Sequence, residues 1–236
     1  MEDFMIIEAI GLPGSGKTFL FHELEKEFRS NSIRTYNFTE LSRNNISVKI
    51  VVKLLLKFVS LKYICKKWKK ELYDILSEEL PYESKFDLYE NPDYCVNYAL
   101  MLLFIYRLFQ NSKIVLLLDE GMYHNIVKLC ADFDFSIRLS NKLIEKCVLL
   151  SRLNDSKHIV IYNIFPISET LLSIEKRNRH VSKFDELETT QLSKILDNYD
   201  KLNNAIYNND KKQIISVFRK DFIEKNISYI KQNLNI

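Results

Sequence analysis

The stretch Gly11-Leu12-Pro13-Gly14-Ser15-Gly16-Lys17-Thr18 decides how this chain is read. It fits G-x-x-x-x-G-K-[ST] at every fixed position. Ahead of it runs Phe4-Met5-Ile6-Ile7-Glu8-Ala9-Ile10, a short apolar run suited to a buried strand. Behind it, Phe19 to Phe28 carries the apolar spacing of an amphipathic helix. Strand, glycine loop and helix, in that order, are the context in which this motif cradles phosphate. Successive backbone N–H groups and the N-terminus of the helix form an anion hole that fits a triphosphate. Lys17 adds a point charge between the β- and γ-phosphates, and the Thr18 hydroxyl is placed to ligate Mg²⁺. Gly11, Pro13, Gly14, Ser15, Gly16, Lys17 and Thr18 are therefore the candidate nucleotide-binding residues.

Three of the four glycines lie in this loop, and the fourth, Gly121, marks a second place. There the chain reads Ile114-Val115-Leu116-Leu117-Leu118-Asp119-Glu120-Gly121. An apolar run ending in a carboxylate predicts a buried strand with an acid at its C-terminal edge. Ligands of open α/β sheets gather at the carboxyl ends of the strands. Asp119 is thus expected beside the phosphate loop, holding Mg²⁺ through water as a Walker B aspartate. Glu120 has two readings: a general base that takes a substrate proton or orients a water, or a solvated loop carboxylate. Gly121 is expected to let the chain turn sharply.

Further strands are expected at Ile33 to Phe38, His158 to Asn163 and Gln213 to Phe218. The second of these is stopped by Pro166, and the first ends at Thr39-Glu40, where Glu40 is a substrate contact or a surface carboxylate. Asn91-Pro92-Asp93 has the cap, N1 proline and acid of a helix start, and the apolar helix Tyr94 to Gln110 should be buried. Helices are also expected over Asn141 to Leu153 and at the end of the chain, where Ile223, Ile227, Ile230 and Leu234 mark one face. Five strands alternating with helices, joined by right-handed crossovers, predict an α/β protein with a parallel sheet in three layers. At 236 residues this is one domain, 1–236, with a helical insertion at 43–111.

From Arg43 to Lys70 there are nine Lys or Arg and no Asp or Glu, in a chain whose net charge is only +3. Lys49, Lys53 and Lys57 share one helical face, and Lys62, Lys66 and Lys70 share another, which predicts a bend near Ser60 or two helices. This segment is either a solvated basic face or a surface that captures an anionic membrane or a phosphorylated or lipid-linked acceptor. Lys outnumbers Arg there and no base-stacking module is present, so nucleic acid is not the expected partner. The four cysteines contain no CxxC pair, which argues against a zinc site. Met1-Glu2-Asp3 lacks a signal-peptide pattern, and lysines interrupt the apolar run Ile50 to Ile64. The expectation is a reduced, cytoplasmic protein. A compact basic cluster, Lys176, Arg177, Arg179 and Lys183, follows Glu169 to Ile174. Arg177 and Arg179 either stabilise charge on a transferring phosphoryl group or suit the dipole at a helix C-terminus.

The order of these parts resembles the P-loop kinases of the nucleoside-monophosphate and thymidylate kinase-like branch. The resemblance implies strand order 2-3-1-4-5, ATP and Mg²⁺ as cofactors, and a lid over 165–185. Pro166, Glu169 and Arg177 are similar to parts of that branch's lid pattern, and Ser173 stands where an arginine is common. Thymidylate kinases follow the strand 3 aspartate with arginine, whereas the combination of Gly11 to Thr18 with Asp119-Glu120-Gly121 is similar to P-loop kinase-like proteins, some of them found with bacterial surface-polysaccharide genes. Glu120 as a base suits a hydroxyl acceptor such as a nucleoside or sugar.

Three functions follow. The first is an ATP- and Mg²⁺-dependent kinase of a small molecule (a nucleoside, nucleotide or sugar), with Lys17, Glu120, Arg177 and Arg179 as catalytic candidates and Thr18 and Asp119 at the metal. The second is an ATPase or GTPase module in which Glu120 polarises water, although no N-K-x-D guanine motif is present. The third is a membrane-surface or scaffold protein that binds nucleotide without turnover. The oligomeric state is not encoded in any motif.

Overall fold

The computed structural model describes residues 4–37, 59–79, 102, 111–151, 157–176, 184, 187–209 and 214–234. Five strands form one sheet: β1 (Met5–Ile10), β2 (Thr35–Asn37), β3 (Val115–Leu118), β4 (Lys157–Ile164) and β5 (Ile214–Phe218). Their order is β2-β3-β1-β4-β5, and every pairing is parallel. Both faces of such a sheet must be covered, and the described helices cover them. They are α1 (Lys17–Ser30), α2 (Val59–Leu76), α3 (Met122–Asp132), α4 (Ile137–Ser151), α5 (Ile167–Glu175), α6 (Thr189–Asn209) and α7 (Ile223–Leu234).

The two-residue period of a strand sorts the core into layers. Phe4, Ile6 and Ile10 of the first strand, with Leu116, Leu118, Val160 and Tyr162, face α2, α3, α4 and α6. Met5, Ile7 and Ala9, with Val115, Leu117 and Ile161, face α1 and α7. On that second face Leu20, Phe21, Leu24 and Phe28 recur at helical spacing and are all buried. Ile230 and Leu234 of α7 are buried too, with Ile223 and Ile227 packed partly against the same core. A small third cluster, Ile174, Leu192 and Leu196, joins α5 to α6.

The predicted strands are all present, and the strand order is the one implied by the resemblance. The helix expected from Asn141 begins a turn earlier, at Ile137. Two helices were not anticipated. In α3 every residue from Met122 to Val127 is buried, including His124 and Asn125, so no polar face reveals its period. In α6 the buried stripe Leu192, Leu196, Tyr199, Asn203 and Ile206 is diluted by asparagines with low helix propensity. Helix α2 runs unbroken from Val59, past Ser60, to Leu76. Its Leu72 and Leu76 enter the core, and its C-terminal end is tied to α4 by the pairs Lys146–Glu71 and Lys142–Glu78. Lys66 and Lys70 are exposed and, with Lys67, Lys69 and Tyr73, line a surface hollow of about 510 Å³. Glu40, residues 43–58 and the expected helix over Tyr94 to Gln110 lie outside the described residues, apart from Leu102, which is helical and fully buried. Cys130 and Cys147 are buried and form no disulfide. No described helix is long and apolar enough to cross a membrane.

The α1 layer is the one that fixes the phosphate loop from behind. Phe28, fully buried at its far end, tests it. Phe28→Ala should cost about 3–5 kcal/mol in urea unfolding, with no change in the slope of the transition if the native fold is kept.

Candidate functional site

The central strand β1 lies between β3 and β4. The loops that follow these three strands therefore open side by side at the carboxyl edge of the sheet. Ile10 pairs with Tyr162 and Glu8 with Leu118. Gly11 thus stands next to Asn163, and Asp119 emerges close to the first turn of α1.

The phosphate loop leaves β1 at Gly11, which has φ +139; a Cβ there would lie 2.6 Å from the Asn163 carbonyl oxygen. Both facts require glycine. The loop turns through the bond from Ser15 N–H to the Leu12 carbonyl, 3.1 Å, and Gly16, in the left-handed region, opens α1. Two side chains hold the loop from outside. Asn163 Nδ2 donates to the Ser15 carbonyl at 2.8 Å, and Arg219 Nη1 donates to the Gly14 carbonyl at 2.5 Å. In a trans peptide the N–H points away from its own carbonyl, so the Asn163 bond turns the Gly16 N–H to the opposite side, while the Ser15 N–H is taken by the Leu12 carbonyl. Arg219 is itself held, its guanidinium 4.3 Å from the Phe165 ring centroid and its N–H on the Ile164 carbonyl. Pro13 and Gly14 sit half-buried at the tip.

Lys17 is buried, and its Nζ donates to the carbonyls of Gly11 at 3.0 Å and Leu12 at 2.9 Å. It is thereby held over the mouth of the loop. The Ser15 hydroxyl is fully buried and has no hydrogen-bond partner among the described residues. Across the mouth, Thr18 Oγ1 donates to Asp119 Oδ2 at 3.4 Å, joining residues 101 apart in sequence. Mg²⁺ prefers octahedral oxygen ligands at about 2.0–2.1 Å, which places neighbouring ligand oxygens about 3 Å apart. The Thr18–Asp119 spacing fits two such positions, directly or through water. No three His, Cys, Asp or Glu residues cluster as a metal cage among the described residues. One hydroxyl, one carboxylate and the phosphates of a bound nucleotide are the usual Mg²⁺ set.

Beyond Asp119 the chain turns into α3. Glu120 is exposed on that turn. Asn125 Nδ2 donates to the Glu120 carbonyl at 3.2 Å and the Gly121 carbonyl at 2.8 Å. From below, Glu8 takes the Met122 N–H at 2.9 Å and the Tyr123 N–H at 2.7 Å. Gly121 does not turn by a left-handed backbone: its φ is −78. Glycine is needed because a Cβ would lie 2.6 Å from both Cβ and Cδ of Glu8. Behind the turn, His124 is buried with its pKa well below the ordinary histidine value, because burial and then the charge of Lys17 disfavour the imidazolium. Burial, then the charges of Asp132 and Glu120, raise the Tyr199 phenol. Helix α6 therefore backs the same space.

The structure brings Gly11, Pro13, Gly14, Ser15, Gly16, Lys17, Thr18, Asp119 and Glu120 to one edge of the sheet. Glu169 does not face this site: it pairs with Lys220 in the loop after β5 and so ties α5 to that loop. Arg177 and Arg179 lie outside the described residues. Sequence reasoning missed Glu8, Asn163 and Arg219. Asn163 and Arg219 carried a usable signal, since both stand at the carboxyl end of a predicted strand, as Asp119 does. Glu8 carried one too, as the lone carboxylate inside an otherwise apolar strand.

No protein-family model matches the sequence, and no curated protein does. The fold does match solved structures. Against deoxyadenosine kinase from M. mycoides with bound dATP the TM-score is 0.52 at 15% identity, covering 98% of this chain and 100% of that one. Against the same kinase with bound dCTP it is 0.48 at 16% identity, covering 98% and 99%. The chain shares a P-loop kinase fold with the first of these.

Two outcomes test the geometry. Asn163→Ala frees the Ser15 carbonyl and should weaken nucleotide binding about tenfold by titration calorimetry, the loss of one buried hydrogen bond. The depressed His124 pKa also fixes the sign of a pH effect. The unfolded chain binds this proton near pH 6.5 and the folded chain does not, so stability should fall as pH drops below about 6.5. In urea titrations, His124→Gln should flatten that slope by up to about 1.4 kcal/mol per pH unit.

Proposed function

We propose that this chain is an ATP- and Mg²⁺-dependent phosphotransferase acting on a small-molecule hydroxyl. The observation that carries the reading is the meeting of Thr18 and Asp119 at 3.4 Å across the mouth of a loop whose lysine is already held over it. Phosphoryl transfer asks little covalent chemistry of the protein; it needs positioning and charge stabilisation. The loop amides and Lys17 hold the β- and γ-phosphates. Thr18 and Asp119 would hold a Mg²⁺ ion, whose positive charge would offset the negative charge of the transferring phosphoryl group. Glu120 is exposed on the turn next to Asp119, where it takes the proton of the acceptor hydroxyl as the oxygen attacks the γ-phosphorus. In this reading the lid is assigned to residues 165–185, and Arg177 and Arg179 are assigned the charge of the same phosphoryl group. The helical insertion, residues 43–111, is assigned to the acceptor.

The P-loop kinase fold supports this class. A nucleoside is favoured among acceptors, ahead of nucleotides and sugars, because one fold neighbour is a deoxyadenosine kinase solved with dATP and because a base at Glu120 suits a hydroxyl rather than a phosphate. The reading places the protein in the cytoplasm, where ATP is the abundant donor. The exposure of Glu120 also favours a second reading, in which it orients water and the chain hydrolyses nucleotide.

Nucleotide consumption with Mg²⁺ against a panel of nucleosides, nucleotides and sugars separates the two. On the kinase reading one acceptor class raises turnover well above the basal rate. Lys17→Ala then abolishes it, and Glu120→Gln lowers it by about 10²–10⁴, the range of a lost general base. Turnover that no acceptor changes, yet that still needs Lys17 and Glu120, would establish the hydrolase instead.

A further inference from the structure

The most buried carboxylate of the sheet is Glu8, in the middle of β1, with no exposure at all. A carboxylate is a poor occupant of a parallel-sheet core unless it is bonded there. Its even-numbered neighbours Ile6 and Ile10 enter the α3 side of the core, and Glu8 points the same way. There it accepts two consecutive N–H groups, Met122 on Oε2 and Tyr123 on Oε1. These are N-terminal amides of α3, which have no partner within the helix. Two charge-assisted bonds to adjacent amides fix both the position and the rotation of the helix start. The same carboxylate lies 3.5 Å from His158 Nε2 of β4, and the Tyr123 ring packs on that imidazole with centroids 5.6 Å apart. One side chain thus ties β1, β4 and α3 together.

The turn that begins α3 is Asp119-Glu120-Gly121. It is clamped from its other side by Asn125, which holds the carbonyls of Glu120 and Gly121. Gly121 is pressed so closely on Glu8 that a Cβ would collide even with the Cβ at position 8. The chain has therefore given up a side chain on the Walker B turn to keep this carboxylate in place. We infer that Glu8 is a positioning residue: it sets the distance from Asp119 to Thr18 and so the Mg²⁺-bearing geometry of the nucleotide site, without touching nucleotide itself. The inference rests on the phosphotransferase reading, because it concerns the metal side of that site. A glutamine in its place keeps the shape but offers NH₂ where one backbone N–H needs an acceptor, so one of the two bonds is lost.

The test is nucleotide affinity, measured by titration calorimetry with ATP in EDTA and again with Mg²⁺, for wild type and Glu8→Gln. Wild type should bind more tightly with Mg²⁺. Glu8→Gln should keep the EDTA affinity within about twofold and lose about tenfold of the Mg²⁺-dependent gain, the fold-change of one charged hydrogen bond. A merely structural role would lower the urea midpoint and leave that gain intact, which would overturn the inference while sparing the functional reading. Wild-type affinity indifferent to Mg²⁺ would overturn both. Gly121→Ala approaches the same contact from the opposite side with every carboxylate retained. It should show the same selective loss if Glu8→Gln does not fold, and an unaltered Mg²⁺-dependent gain there would equally overturn the inference.

Discussion

The register of one strand organises this protein. β1 is paired on both sides in parallel, Glu8 opposite Leu118 and Ile10 opposite Tyr162. Parallel ladders leave the carboxyl ends of their strands level, so the segments after β1, β3 and β4 open together. A shift of one residue in that register would turn Glu8 out of the α3 side and place an apolar neighbour against the helix start. Because both faces of the sheet are packed against helices, the apolar alternation fixes the register and the loops inherit it. The meeting of Thr18 with Asp119, 101 residues apart, is a consequence of strand pairing more than of any attraction between them.

The site built on that edge is organised before any ligand arrives. Asn163 and Arg219 hold loop carbonyls outward, Lys17 is held over the mouth, and Glu8 with Asn125 clamps the Walker B turn on both sides. Donors fixed in advance need no reorganisation when charge moves, the condition under which electrostatic stabilisation is most effective. The polar groups that do this work are mostly buried and bonded to backbone. They can be replaced less freely than Lys66, Lys67 and Lys70 of α2, which are exposed around a surface hollow.

The fold was legible because its signals are local. Apolar runs of strand length, a complete glycine motif and a carboxylate after a buried strand are each visible within eight residues. What stayed hidden depends on contacts distant in sequence. Glu8 reads as an oddity in β1 until Met122 and Tyr123 are seen above it. Asn163 reads as a strand end until Ser15 is seen beside it. The period of α3 is masked because it is buried on nearly every side, and that of α6 because weak helix formers fill its exposed positions. Gly121 shows the limit of local reading most plainly. A glycine after Asp-Glu predicts a sharp turn, but its backbone is extended and the requirement comes from a side chain more than a hundred residues away.

These features support the proposed reading, in which the edge of the sheet moves a phosphoryl group from a nucleotide to a hydroxyl. The most direct measurement follows the group itself. The protein would be incubated with Mg²⁺, nucleoside and ATP labelled at the γ-phosphate, and the label separated between organic phosphate and inorganic phosphate. The account predicts label in a phosphate ester of the nucleoside, appearing at the rate at which ATP is consumed. Label recovered only as inorganic phosphate, at a rate that no acceptor alters, would contradict it.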